Sequence, residues 1–351
     1  MFAISIDPVS REAGRAARER IDNLTKPVGS LGRLEDLAER LASIAGGTPV
    51  TNYERRAILV GAGDHGVTVE GVSAYPSEVT PQMVGAFLAG FAAINALGRA
   101  ARAEVYVADF GVASALPDHP RLLQRSAGRG TRNFARESAM SPEQVDLALA
   151  AGVSAFEAVR AETGCELLAL GDMGIGNTTS AAAMICALLD VEPEGIAGRG
   201  TGVDDAGFAR KLAAIRAGVA RAHTADWRDV ASEVGGFEIV GLAGALLGAA
   251  KARVPVVLDG FIVSAAALLA QRIAPDSIDY CIASHRSRER GHEVALRGLG
   301  LVPLFDLDLR LGEASGAALA MPVVEAAARM IREMKTFAEA GVATAEAASH
   351  V

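Results

Sequence analysis

One stretch, residues 167–180, constrains the fold of this chain more than any other: Leu-Leu-Ala-Leu-Gly-Asp-Met-Gly-Ile-Gly-Asn-Thr-Thr-Ser. Its first four residues form a short apolar run, the pattern of a strand buried on both faces of a parallel sheet. Glycines follow at 171, 174 and 176, then Asn177, Thr178, Thr179 and Ser180, then an alanine-rich run over 181–189. That is strand, glycine turn and helix start. Glycine lets backbone N–H groups approach a ligand closely, and the Asn/Thr/Ser cluster can cap the helix. A helix N-terminus offers unpaired donors and partial positive charge, so the turn suits an anion, most simply a phosphate. An ordinary strand-to-helix turn without a ligand is the alternative.

At 351 residues the chain is long enough for one large domain with an appendage, or for two domains. Half of it is hydrophobic, 38 residues are glycine and only 5% are aromatic, which suits an α/β layer fold with tight βα turns. The net charge of −8 and the dispersed basic residues argue against a nucleic-acid partner. Cys165, Cys186 and Cys281 lie far apart without a C-x-x-C, so neither a zinc site nor a disulfide framework is expected. Residues 1–20 lack an apolar signal-peptide core, and the longest apolar run, 239–250, is too short to span a bilayer. The sequence therefore predicts a soluble, cytoplasmic protein with no membrane partner.

Residues 10–45 are helical in pattern and broken at 24–33, where Pro27 and Gly29 end one helix and Ser30 is placed to cap the next. Leucines at 31, 34, 37 and 41 mark its buried stripe. Residues 56–61 predict the first sheet strand, leading into Gly61-Ala-Gly-Asp-His-Gly66, a literal G-x-G-x-x-G. A dinucleotide site is not expected, because residues 67–76 read as an extended loop rather than a helix, and the acidic residue that would close a second strand is missing. Asp64 and His65 point either to a polar site of another kind or to a structural turn.

Residues 78–101 predict one long helix with a stripe through Met83, Phe87, Phe91 and Leu97, and 103–110 a second strand ending near Asp109. Residues 116–141, rich in Arg, Gly, Pro and Asn, predict a long surface excursion. Ser141-Pro-Glu-Gln144 then resembles a capping box opening a helix that runs to Thr163. Beyond the central motif, Gly198-Arg-Gly-Thr-Gly-Val-Asp-Asp205 precedes a helix containing Lys211. Further strands are predicted at 254–258, 278–283 and 302–305, and a helical tail over 317–348. His285 and His292 flank Glu289 without the spacing of a zinc site, so hydrogen-bonding histidines are expected. Five predicted strands end at Asp64, Asp109, Asp172, Asp259 and His285, and in a parallel sheet such ends share the edge where ligands bind.

Eight segments in order resemble one family closely, nicotinate-nucleotide–dimethylbenzimidazole phosphoribosyltransferase. They are LTKPVGSLGRL (24–34), GDHGV (63–67), GVSAYPSEVTPQM (71–83), GDMGIGNTT (171–179), GRGTGVDD (198–205), DGFI (259–262), HRSRERGH (285–292) and LRLGEASGAALA (309–320). The resemblance implies an α/β, Rossmann-like, doubly wound and mostly parallel sheet in a large domain over 54–306. It implies a small helical domain built from both ends, 1–53 and 307–351, and a homodimer whose sites draw on the neighbouring subunit. The implied reaction moves phosphoribose from nicotinate mononucleotide to 5,6-dimethylbenzimidazole, in cobalamin nucleotide-loop assembly. Its products are α-ribazole 5′-phosphate and nicotinate.

Nicotinate leaves as a neutral pyridine nitrogen and no pyrophosphate departs, so the usual reason for Mg²⁺ is absent and neither metal nor cofactor is expected. The incoming azole must lose a ring proton, which calls for one general base. The resemblance implies Glu313 in that role, with Asp172 as a second catalytic residue. Spacing alone favours Glu313 as a helix-start carboxylate facing a helix dipole, and it is the resemblance that turns the reading to the base. The resemblance further implies a phosphate and ribose site at Gly174, Gly176, Asn177, Thr178, Gly200, Lys211 and Ser287. The base site it implies comprises Ser73, Gln82 and Met173. Asp172 stands where the family often has Glu, and Ala314 where Gly is expected. A non-catalytic homologue that binds a nucleotide or azole is the competing reading.

Overall fold

The apolar run that opens the central motif is an inner strand of a parallel sheet. In the computed structural model, which describes residues 2–49, 51–200, 202–222 and 226–343, six strands form that sheet. They are β1 (Arg56–Gly63), β2 (Ala103–Gly111), β3 (Leu122–Gln124), β4 (Leu167–Met173), β5 (Val256–Leu258) and β6 (Cys281–Ala283). Their order is β3-β2-β1-β4-β5-β6, and every pairing is parallel. The fold is α/β, as expected.

The middles of the inner strands are apolar because both sheet faces are covered. Strand side chains alternate between faces: Ala57, Leu59, Leu168 and Leu170 enter one core, while Ile58, Val60, Leu167 and Ala169 enter the other. The helices of the first half of the chain are α1 (Arg11–Asp22), α2 (Arg33–Ala45), α3 (Val79–Ala89), α4 (Ala93–Ala101), α5 (Pro142–Thr163), α6 (Asn177–Leu189) and α7 (Pro193–Ile196). Those of the second half are α8 (Asp205–Arg221), α9 (Trp227–Val234), α10 (Phe237–Lys251), α11 (Phe261–Ile273), α12 (His292–Leu299), α13 (Ser315–Glu333) and α14 (Phe337–Ala340). Helices α5, α6, α10 and α11 fill the first core, and α1 to α4 with α13 fill the second. The two ends of the chain meet: Leu24 pairs with Thr336, and the Arg20 guanidinium donates to the Ile331 carbonyl at 3.2 Å.

Several local expectations change. The predicted helix over 78–101 is two helices, because Gly90 ends α3 in the left-handed region (φ 84°) and the Asn95 side chain accepts from the Ala92 N–H to begin α4. Phe91, assigned to the buried stripe, is 76% exposed at this break. By length and composition alone 79–101 would be long enough to cross a membrane. Divided, it leaves helices of 11 and 9 residues, against roughly 20 for a span. The loop expected over 67–76 begins with a 3-10 turn, Gly66–Glu70. The excursion over 116–141 is partly core: it supplies the edge strand β3 and buries Phe134 and Met140 completely.

Ser30 does not cap α2. Gly32 stands at that position, and Leu31 is exposed, so the buried stripe is carried by Leu37, Ala38 and Leu41. Nor does the Asn/Thr/Ser cluster cap α6 through a side chain; Gly176 is its N-cap at φ 93°. Residues 275–280 form a 3-10 turn before β6, and the strand predicted at 302–305 is a single bridge between His285 and Phe305. The tail helix stops at Glu333, where Met334 turns extended, and a Thr336 capping box starts α14. Residues 344–348 of the predicted tail lie outside the described residues. The capping box at Ser141 does open α5 as the sequence predicts, with Gln144 reaching back to the Ser141 N–H at 2.9 Å.

Candidate active site

Strand order reverses between β1 and β4, so their crossovers lead to opposite faces and leave a crevice at their carboxyl ends. Asp64, Asp109, Asp172, Asp259 and His285 are all buried at this one edge. A cleft of about 350 Å³ opens there, with Asp172, Met173, Gly174, Asn177, Thr178, Gly200 and Ser287 in its wall.

One end of the cleft is built around the turn after β4. Gly176 takes a left-handed conformation that L side chains rarely adopt, and α6 begins at the next residue. Lys211 of α8 is only 1% exposed, and its ammonium donates to Thr178 Oγ1 at 2.7 Å. Burial lowers its pKa to about 8, opposed by the nearby Glu289 carboxylate. The loop bearing Gly200 crosses directly above, since a Cβ there would lie 2.8 Å from Thr178 Oγ1 and 3.2 Å from Lys211 Nζ. Ser287 is fixed from behind by its N–H, which donates to His292 Nδ1 at 2.9 Å, while His292 Nε2 meets Ser264 Oγ at 3.1 Å. Burial holds His292 at about 3 and His285 at about 4, so both are neutral hydrogen-bonding rings.

The other end is acidic. Asp172 Oδ2 accepts from Asn177 Nδ2 at 3.0 Å, while Oδ1 has no partner among the described residues. Burial, then the carboxylates of Asp259 and Glu238, push its pKa well above the ordinary range; Asn177 opposes and Glu313 adds to the rise. Asp259, just past β5, is raised to about 7 by burial, although the N–H groups of Gly316 (2.8 Å) and Ala317 (3.1 Å) bind its Oδ1. Through those two bonds it anchors the start of α13.

Glu313 lies immediately before α13, in a run of three left-handed residues: Gly312 (φ 85°), Glu313 (φ 61°) and Ala314 (φ 67°). Left-handed conformations cost a non-glycine residue about 1–2 kcal/mol. The run is held down by close approach to β4, for a Cβ on Gly171 would sit 2.2 Å from the Ala314 nitrogen. The Glu313 carboxylate is buried, accepts from the Ile94 N–H and leaves Oε2 without a partner among the described residues. Burial raises its pKa, and the Ile94 N–H opposes that rise.

The sequence-predicted residues therefore divide. Asp172, Met173, Gly174, Asn177, Thr178, Gly200 and Ser287 share the cleft wall. Lys211 and Gly176 stand directly behind it, and Glu313 adjoins it through Gly312, another wall residue. Ser73 and Gln82 lie outside that wall: Ser73 Oγ accepts from the Tyr75 N–H at 3.2 Å, and Gln82 is exposed on α3. Tyr75, Arg310 and Glu238 are residues that sequence reading did not assign, and Asp259 it placed at this edge without a role. Glu238 carried a visible signal, a single acid opening the apolar run over 239–250. Among the described residues no three His, Cys, Asp or Glu side chains form a group able to hold a metal.

The family model described as Phosphoribosyltransferase matches residues 6–342. A Chloroflexus aggregans protein named nicotinate-nucleotide–dimethylbenzimidazole phosphoribosyltransferase is 51% identical over 340 residues, covering 96% of each chain. A Thermus thermophilus protein of the same name is 53% identical over 327 residues, 93% of this chain and 97% of its own. The crystal structure of CobT from Thermus thermophilus superposes with a TM-score of 0.91 over 95% of this chain and 99% of that one, at 53% identity. The chain thus belongs to the nicotinate-nucleotide–dimethylbenzimidazole phosphoribosyltransferase family of enzymes.

Proposed function

We propose that this enzyme moves phosphoribose from nicotinate mononucleotide to 5,6-dimethylbenzimidazole, giving α-ribazole 5′-phosphate and nicotinate for the nucleotide loop of cobalamin. The observation that carries the reading is the pairing, across one cleft, of a phosphate-type turn backed by a buried lysine with a buried carboxylate that has a free oxygen. The donor phosphate rests on the turn at Gly174 and Gly176, within reach of Thr178, Gly200, Lys211 and Ser287. The adjoining hollow carries Arg199, Arg288, Arg290 and Arg310, a positive rim that draws an anionic nucleotide inward.

One azole nitrogen attacks C1′ from the face opposite nicotinate. The C1′–N bond to the pyridinium breaks, its electron pair neutralises the leaving ring, and configuration inverts from β to α. Glu313 takes the proton from the other azole nitrogen. Its burial-raised pKa makes it a stronger base than a solvated carboxylate. Asp172, whose carboxyl burial and then the Asp259 and Glu238 carboxylates bias toward the protonated form, offers an O–H donor at the cleft wall. Ser73, Gln82 and Met173 belong to the acceptor end.

A homodimer is part of the proposal. Gln82 is exposed on α3, and the exposed Tyr75 and Phe91 flank its two ends, a face that a second copy of the chain could cover at the acceptor end. So is the division into a large part, 54–306, and a small part from both ends, for which the Leu24–Thr336 pairing is the support. The test is product analysis after mixing the protein with both substrates. Equimolar nicotinate and α-linked riboside phosphate are expected; no riboside with any azole, purine or phenol acceptor would sink the reading in favour of a binding protein.

A further inference from the structure

The glycine turn after β1 contains two polar residues with different duties. Asp64 is a turn residue, its Oδ2 accepting from the Ala113 N–H at 2.8 Å and its carbonyl from the Thr131 N–H at 2.9 Å. His65 points elsewhere. Its Nε2 lies 2.5 Å from Glu238 Oε1, and neither side chain has any exposed surface. Glu238 is the second residue of α10, a helix otherwise apolar until Lys251.

The carboxylate of Glu238 fills a space left by three glycines. A Cβ on Gly63, Gly174 or Gly236 would in each case lie 2.8 Å from one of its oxygens. The His65 side chain packs on the same wall, 3.3 Å from the Cβ position of Gly174 and 3.3 Å from that of Gly176. Gly63 ends β1, Gly174 and Gly176 form the turn after β4, and Gly236 precedes α10. One short bond therefore ties the turn after β1 to the start of α10, and both partners pack against the underside of the phosphate turn.

Stability alone is a poor reason for such a pair. Taking two ionisable groups out of water is costly, and apolar residues of the same volume commonly serve as well. Here each partner also leaves an atom, His65 Nδ1 and Glu238 Oε2, without a hydrogen bond among the described residues, a further cost. What an apolar pair lacks is a directional bond that holds a turn to within about 0.5 Å, the tolerance a preorganised site demands.

We infer that His65 and Glu238 are positioning residues, which set the height of the Gly174–Gly176 turn against β1 and hence the seat of the donor phosphate. The inference rests on the function proposed above. It is tested by steady-state constants for both substrates in His65→Ala, His65→Gln and Glu238→Met. His65→Ala should raise KM for nicotinate mononucleotide by about tenfold or more, with KM for dimethylbenzimidazole changed by less than about twofold. His65→Gln, whose amide N–H can still donate to Glu238, should recover most of that loss.

Equal damage in the Ala and Gln variants, a parallel rise in both KM values, or wild-type constants throughout would overturn the inference. If His65→Ala fails to fold, Glu238→Met, which fills much the same space and removes the acceptor, must show the same donor-selective rise. Wild type that makes no product would count against the functional reading instead. Calorimetric titration with nicotinate mononucleotide would then decide the positioning role, which requires weaker binding to His65→Ala than to His65→Gln.

Discussion

At the proposed phosphate end of the cleft the polar side chains are buried and braced from behind, whereas at the proposed acceptor end Glu313 is strained and Gln82 and Tyr75 are exposed. Lys211 is bonded to Thr178, Ser287 to His292 and His65 to Glu238. By contrast, Glu313 sits in a left-handed run with one oxygen unbonded, and Gln82 and Tyr75 face outward. The difference follows from what each end must do. A phosphate has fixed size and charge, and a rigid set of donors binds it without reorganising. A base that takes a proton must keep an oxygen free for it, and a flat acceptor needs a way in.

The sharpest way to break this contrast is to disturb the acceptor end through the strand beneath it. Gly171→Ala puts a methyl where the Ala314 backbone lies. The Glu313 loop must shift, with turnover falling about a hundredfold and KM for nicotinate mononucleotide unchanged. A loss spread equally over both substrates would show that the two ends are not separable. Lys211→Met attacks the other end. Losing a charge-assisted bond of about 2 kcal/mol predicts a roughly thirtyfold fall in kcat/KM for the mononucleotide, with the acceptor KM intact.

Because burial places Lys211 at about 8 in the free protein, its charged form is lost as pH rises through that value. In wild type, kcat/KM for the mononucleotide should therefore fall with rising pH above it, levelling near the roughly thirtyfold loss expected of Lys211→Met, and a flat profile through the alkaline range would contradict the assignment. Asp172→Asn sharpens the picture in between. If the carboxyl works neutral, an amide of the same shape keeps most of the activity, with a loss under about tenfold; a much larger loss would mean that the ionised form is required. The smallest effect is at Ala314. Glycine relieves the left-handed strain there but gives up a buried methyl and a stiffer unfolded chain, so Ala314→Gly should move stability by less than about 1 kcal/mol in thermal denaturation.

The same contrast governs how much the sequence disclosed. Asp172, Asn177, the turn and the strand ends come from one contiguous motif and one topological rule, so their shared placement was readable. Lys211 looks like any solvated lysine in a helical pattern, and its burial exists only because α8 folds against α6 and the Gly200 loop closes over it. Glu238 went unassigned although an acid opening an apolar helix is a visible signal, and its partner lies 173 positions away, beyond any local signal. The helix break at Gly90 and the burial of Phe134 likewise depend on tertiary packing that overrides local pattern. The acceptor end was legible mainly through family resemblance, since three consecutive left-handed residues, two of them not glycine, contradict local preference.

The central claim is that Glu313 removes the acceptor proton from its strained seat beside β4. Single-turnover rates of wild type and Glu313→Gln, with both substrates saturating and acceptor binding measured in parallel, test it most directly. The account predicts a loss of about a hundredfold or more in the chemical step, with acceptor affinity within about twofold. Equal single-turnover rates would contradict it and leave Glu313 as a carboxylate that merely starts a helix.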